Sequence, residues 1–382
     1  FLKRKVSKSY FWLFRKNKEK ISKIEKKIAI VGTKGLPSNY GGFETLVYYL
    51  SEYLSNEFEI TVFCSSKGVK NKINSYNNCK LVYVPYNANG AQSVPFDIIS
   101  ILKSYKKFDK LLILGSSGTI ILPFLRSYKN KFIFNFGGLD WNRSKWGYLD
   151  RKFLKFSEKL GIKNSGHIVS DNFGITAYIE ETYDKKSELI TYGGDQVFKV
   201  IPEEQDFIHY SFLKSKYAFS VARIQPDNNI DLLLESFDEK SKIPFVLVGN
   251  WDSCTYGIET KKRFFNKPNL ILLDAIYNQR ELNLLRSNCE VYLHGHSAGG
   301  TNPALVEAMN LGLPIFAFDC NFNRYTTKFK AHYFKKSHEL NQLIDTISKV
   351  QLEKNKIDML SIAKENYQCK IIASKYSNIF NK

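Results

Sequence analysis

Long apolar runs are missing from this chain. No stretch of its 382 residues reaches the roughly 18 consecutive apolar residues of a bilayer-spanning helix. The best candidate, Leu111 to Leu125, is broken by Gly115, Ser116, Ser117, Gly118 and Thr119, so this is not the sequence of an integral membrane protein. Glycine and proline are sparse, at 22 and 10, which excludes collagen-like and low-complexity chains. Paired cysteines are lacking too: Cys64, Cys79, Cys254, Cys289, Cys320 and Cys369 lie far apart with no C-x-x-C pair. That argues against a zinc or disulfide framework and for reduced thiols in the cytosol. Acidic charge is in deficit, 37 Asp and Glu against 56 Lys and Arg, a net +19. Such a balance implies polyanionic partners, whether nucleic acid, anionic lipid or phosphorylated substrates.

What is present suits two folded domains, since 43% of the residues are hydrophobic and the length exceeds one ordinary core. Residues 1–26 form a basic aromatic arm, FLKRKVSKSYFWLFRKNKEK with Tyr10, Phe11, Trp12, Leu13 and Phe14. It reads as an interfacial amphipathic stretch or a frayed soluble tail, and not as a secretory signal. The chain opens on Phe1 rather than Met, which leaves room for missing upstream residues.

From Lys27 short apolar runs alternate with helical patterns. Strands are expected at 28–31, 60–63, 81–84, 111–114, 132–136, 168–170 and 189–191, with helices at 43–54, 98–105, 149–160 and 175–182. After Tyr192-Gly193-Gly194-Asp195 comes the poorly patterned stretch 201–216, a domain boundary. The alternation then restarts with strands at 217–221, 245–248, 270–273, 291–293 and 315–318, helices at 230–237, 281–285 and 303–311, and helical patterns over 340–350 and the last 25 or so residues. The expected architecture is α/β, two doubly wound Rossmann-like domains over 27–200 and 215–360 that face each other across a ligand-binding cleft.

The first strand runs into GTKGLPSNYGGFE, in which Gly41 and Gly42 precede a helix, an arrangement that lets backbone N–H groups approach an anion. It lacks the G-x-G-x-x-G spacing, and Phe63 leads to Cys64-Ser65-Ser66 where a ribose-binding acid would stand, so NAD binding is disfavoured. A Gly-rich turn needed only for packing is the plain alternative. The most informative stretch is YLHGHSAGGTNPALVEAM at 292–309. Asn302 suits an N-cap, Pro303 the first helical position and Gly312 the C-terminal cap. The helix N-terminus, preceded by Gly299, Gly300 and Thr301, is a diphosphate site. Glu307 falls where a carboxylate would accept from ribose hydroxyls, and its apolar flank demands a partner. Arg223, directly after a strand, suits diphosphate binding and stabilisation of a leaving group. His294 and His296 alternate on one strand, so they point the same way and could in principle ligate a metal. A phosphate or sugar contact by His296 is favoured over a metal site, because no third ligand is near.

With these residues on view, the chain resembles the retaining GT-B glycosyltransferases of family 4, in particular the bacterial β-1,4-rhamnosyltransferase-like branch. The resemblance is carried by VGTKGLPSNYGGFET, GGLDWNRSKW at 137–146, YGGD at 192–195, VARIQPDNNIDLLLESF at 221–237 and the 292–309 motif. It implies an N-terminal acceptor-binding domain, a C-terminal nucleotide-sugar-binding domain, a C-terminal helix over 361–382 that crosses back to the first domain, and catalysis with no metal and no cofactor. Arg223 and Glu307 are then the catalytic pair. Donor contacts fall on Gly41, Gly42, Asn228, His296, Gly299, Gly300, Thr301, Asn302 and Glu307, and acceptor contacts on Tyr40, Asp140 and Trp141. The sequence departs from the family pattern at Gly299, where the first Glu of Glu-x7-Glu would stand, and at Asn228, where a Lys is usual. On the acceptor side, Gly137 stands for the usual acidic residue. The implied function is transfer of L-rhamnose from dTDP-rhamnose onto a polyprenyl-diphosphate-linked saccharide in surface polysaccharide assembly, by a cytoplasmic enzyme peripheral on an anionic membrane. A UDP- or GDP-sugar donor, and a non-catalytic sugar-nucleotide-binding protein, are the alternatives. Nucleic acid is not an expected partner, since Lys dominates and no nucleic-acid module is present.

Overall fold

A computed structural model describes residues 26–37, 41–143 and 146–382. Residues 1–25 of the basic arm and Tyr40 lie outside them. The first half contains β1 (Lys27–Val31), α1 (Gly42–Leu54), β2 (Glu59–Ser65), β3 (Ser75–Tyr76), β4 (Cys79–Val84) and α2 (Ser93–Ser104). It continues with β5 (Lys110–Leu114), β6 (Phe132–Asn135), α3 (Tyr148–Asn164), β7 (His167–Ser170), α4 (Phe173–Tyr183) and β8 (Glu188–Leu189). The second half contains α5 (Glu204–His209), β9 (Ala218–Ala222), α6 (Ile230–Glu235), β10 (Phe245–Gly249), α7 (Thr255–Phe264), β11 (Leu270–Leu273) and α8 (Gln279–Ser287). After these come β12 (Val291–His294), α9 (Pro303–Asn310), β13 (Ile315–Phe318), α10 (Asn321–Thr326), β14 (His332–Phe334), α11 (Ser337–Thr346), α12 (Lys349–Asn366) and α13 (Cys369–Asn381).

The strands form two sheets, ordered β3-β4-β2-β1-β5-β6-β7-β8 and β11-β10-β9-β12-β13-β14. Every pairing is parallel except β3 with β4. Alternation along each strand explains the layering. In β1, Ile28 and Ile30 pack into one core and Ala29 and Val31 into the other; in β10, Val246 and Val248 face opposite to Phe245 and Leu247. Both faces of each sheet are therefore covered, as parallel sheets require. The chain reverses direction across the sheet beside β1 and beside β9, and the loops that leave those strands carry the Gly32–Gly42 and Arg223 segments.

α13 joins the first sheet's core: Ile372, Ala373, Tyr376, Ile379 and Phe380 pack there with α1. Asn135 on β6 donates to the Tyr376 hydroxyl at 2.6 Å. Two crossings of the chain lie side by side, because Gly194 N–H donates to Tyr367 O at 2.9 Å and Cys369 N–H to Asp195 at 2.6 Å. A Cβ on Gly193 would lie 2.8 Å from the Cys369 Cα, so the glycines of YGGD allow this contact.

The structure corrects several local expectations. The unpatterned 201–216 stretch contains α5 and the helical turn Ser211–Lys214. α7, α10 and β14 were not expected; α7 is polar over most of its length and β14 spans three residues. The helical pattern over 340–350 breaks at Ile347, where Ser348 opens α12 by a reciprocal cap with Gln351. The helix over 361–382 is the end of α12 plus all of α13, broken at Tyr367 and Gln368.

Candidate active site

The site forms where loops at the carboxyl ends of both sheets meet. On the C-terminal side, Asn302 accepts from Ala304 N–H at 2.9 Å and caps α9, with Pro303 in its first turn. On the other side, α1 begins at Gly42, and a Cβ there would lie 3.6 Å from Pro303. Two helix N-termini thus approach each other, and their positive ends reinforce. Into this region projects Arg223, whose guanidinium would lie 3.7 Å from a Cβ on Gly41. Glu44, in the first turn of α1, accepts from Lys34 N–H at 3.0 Å and from the Thr33 hydroxyl at 3.3 Å, fixing the loop that leaves β1.

The loop Gly299–Thr301 is held from the opposite domain. A Cβ on Gly138 would lie 3.1 Å from Gly299 Cα, and one on Gly300 would overlap the Asp171 carboxylate. Glycine is therefore demanded at 300 by close approach. The Thr301 hydroxyl donates to Asp171 O at 2.5 Å, and Asn172 donates to Thr326 and to Phe322 O at 3.1 and 3.2 Å. Burial pushes the Asp171 carboxyl up to about 7, against the pull of backbone N–H groups and of Arg143.

His296 lies beyond β12, so it does not share a strand with His294 as the sequence suggested. Their rings are 5.9 Å apart. His294 is buried, and desolvation holds it well below the usual imidazole range. His296 donates from Nδ1 to Asn228 at 2.5 Å. Burial and the charges of Arg143 and Arg223 push it down to about 3, keeping the ring neutral. Asn228 in turn donates to Arg223 O at 2.6 Å, so both ends of its amide are engaged, and it acts as a brace between Arg223 and His296. Among the described residues no group of three or more His, Cys, Asp or Glu could hold a metal ion.

Glu307 has its partner. Arg286 on α8 donates to one carboxylate oxygen at 2.5 Å, and Gln196, from the linker between the domains, donates to the other at 2.8 Å. A carboxylate has about four acceptor positions, so two remain for hydroxyls. Asp140 opens a short turn and pairs with Arg143 Nε at 3.1 Å, and Trp141 stacks under the Lys155 ammonium at 4.5 Å. The structure thus brings Gly41, Gly42, Arg223, Asn228, His296, Gly299, Gly300, Thr301 and Asn302 to one junction, with Glu307 one turn along α9. It adds Arg143, Asp171, Gln196 and Arg286, which the sequence reading missed. Only the need for a partner to Glu307 was signalled.

Residues 202–367 match the family described as glycosyl transferases group 1. The second half of the chain is thus similar to glycosyltransferase group 1 domains. Residues 25–195 match a domain of unknown function (DUF1972). No curated protein matches the chain. Among solved structures, sucrose-phosphate synthase from Thermosynechococcus elongatus is similar at a TM-score of 0.78 and 14% identity, covering 94% of this chain and 98% of that one. Anabaena HepE in complex with UDP-glucose is similar at 0.70 and 11%, covering 94% and 100%. The trehalose-6-phosphate synthase OtsA is similar at 0.69 and 10%, covering 94% and 99%. These likenesses show the fold: two Rossmann-like domains with parallel sheets in the GT-B arrangement. Within it the C-terminal domain contributes Arg223, His296 and the α9 N-terminus, and the N-terminal domain contributes α1, Arg143 and Asp171.

Proposed function

We propose that this protein is a retaining glycosyltransferase, working without a metal or other cofactor, that moves L-rhamnose from dTDP-rhamnose to a polyprenyl-diphosphate-linked saccharide at an anionic membrane surface. The observation that carries the reading is the junction itself, where two helix N-termini and Arg223 converge beside a carboxylate, Glu307, that retains acceptor positions. A nucleoside diphosphate matches it: ribose hydroxyls donate to Glu307, and the phosphates take the N–H groups of α9 and the guanidinium of Arg223.

In the reaction the bond between the sugar C1 and the diphosphate oxygen breaks. The acceptor hydroxyl forms the new bond to C1 on the leaving-group face, and its proton passes to the departing phosphate oxygen. Charge grows on that oxygen, where fixed donors lower the barrier without reorganisation. Holding the two substrates in line supplies much of the remainder. Asp140 and Trp141, on the 137–146 loop that abuts Gly299, present the acceptor.

The choice of rhamnose rests on Asn228 and the Gly299-Gly300-Thr301-Asn302-Pro303 loop, which resemble the rhamnosyltransferase-like branch. A UDP-sugar donor is the second reading, favoured by the UDP-glucose complex of the similar HepE. The test supplies labelled dTDP-rhamnose and UDP-glucose with a polyprenyl-diphosphate saccharide and follows label into lipid. Transfer from dTDP-rhamnose supports the first reading, and transfer from UDP-glucose alone replaces the donor. Release of nucleotide with no labelled lipid in either case contradicts the acceptor assignment.

A further inference from the structure

α3 presents an unusual outer face. Leu154, Ser157, Glu158, Gly161 and Ile162 point into the protein, whereas Tyr148, Leu149, Lys152, Lys155, Phe156, Lys159 and Lys163 are exposed. At 3.6 residues per turn these seven fall within about 120° of arc. Four are lysines and none is acidic. The apolar members are unusually open, Leu149 at 78%, Tyr148 at 71% and Phe156 at 54%. Phe124, 83% exposed, lies on the helical segment Thr119–Lys131, which packs against α3.

We propose that this face is a docking surface for anionic lipid. Lysine heads with an apolar edge on one surface helix match the headgroup boundary of a bilayer, where side chains such as Leu149 and Phe156 enter the acyl region and the ammonium groups meet lipid phosphates. A second copy of this chain fits poorly, since a symmetric contact would set the four lysines against their own images. The placement also has a consequence for the reaction. Lys155 lies over the Trp141 ring, and Arg151 Nε donates to Trp146 O at 3.0 Å, so the face is continuous with the loop assigned to the acceptor. Docking there sets that loop at the lipid surface. This last step rests on the proposed function, whereas the lipid contact itself does not.

The test uses the full chain with vesicles of phosphatidylcholine alone and of phosphatidylcholine mixed with phosphatidylglycerol, whose anionic headgroups attract basic segments. Wild-type protein is expected to sediment with the anionic vesicles. Lys152→Glu/Lys159→Glu, and separately Leu149→Ser/Phe156→Ser, are expected to weaken partitioning about tenfold or more, with unchanged thermal midpoint and unchanged nucleotide binding. Undiminished partitioning of both variants, equal binding to both vesicle types, or a dimer abolished by the same variants overturns the proposal. Retained nucleotide binding separates such a failure from a failure of the glycosyltransferase reading.

Discussion

The buried guanidinium of Arg286 donates to the Glu307 carboxylate at 2.5 Å, from a helix that ends four residues before the strand leading into the donor loop. Arg286 is 2% exposed and Glu307 18% exposed, so the pair orients the carboxylate in a largely water-free setting. Removing one partner strands the other charge, which costs about 3–5 kcal/mol. Arg286→Met and Glu307→Gln are each expected to lower stability by that order, and the double variant to lose less than the sum. Denaturant unfolding of the three variants measures the coupling.

Arg143 and Arg223, one from each domain, both depress the His296 imidazole. On the proposed function these two guanidiniums, beside the α9 N-terminus, would bind the donor diphosphate. Arg223→Ala is expected to weaken nucleoside diphosphate binding tenfold to a hundredfold, about 1.5–3 kcal/mol for a charged hydrogen bond. Arg143→Ala should act in the same direction. Neither should affect the nucleoside alone, and titration calorimetry with diphosphate and nucleoside separates the two contributions.

The Asp171 carboxyl titrates at about 7 in the folded protein, against about 3.9 in an unfolded chain. Between those values the folded state holds a proton that the unfolded state has lost, so stability falls as pH rises from about 4 to 7. His296 has the opposite sign: its folded value of about 3 means that stability falls as pH drops below about 6.5. Asp171→Asn leaves His296 in place and removes only the first dependence. The stability of this variant relative to wild type is therefore expected to increase from pH 5 to pH 8, by up to a few kcal/mol. Urea midpoints at the two pH values check it.

The features readable in the sequence are those carried by local pattern. Asn302, Pro303 and Gly312 mark the ends of α9 because caps and turns are chemistry between near neighbours, and the β/α alternation reveals two parallel sheets. Contacts made across the fold leave no such trace. Arg286 lies 21 positions before Glu307 on a helix of mixed composition, and Asp171 meets Gly300 only when the domains come together. α7 has too few apolar positions in Thr255–Phe264 to announce a helix, and reading 340–350 as one helical pattern overlooked the Ser348 and Gln351 spacing that caps α12 after the break at Ile347.

Asp140 pairs with Arg143 and Trp141 lies beneath Lys155, so both belong to the loop assigned to the acceptor. Asp140→Asn and Trp141→Ala are expected to lower transfer at least tenfold while nucleoside diphosphate affinity stays within about twofold. Such a split follows when a contact is made to the second substrate only. Parallel activity and binding assays check it.

The central claim, that a nucleotide-sugar donor binds between Arg223 and Glu307, is tested most directly by calorimetric titration of the full chain. dTDP, UDP and GDP would each be titrated into wild type, Glu307→Gln and Arg223→Ala. The account predicts saturable binding of one of these nucleotides to wild type, weakened at least tenfold in both variants, with dTDP the strongest. Binding that both variants leave unchanged, or no binding of any nucleoside diphosphate to the wild-type protein, would contradict it.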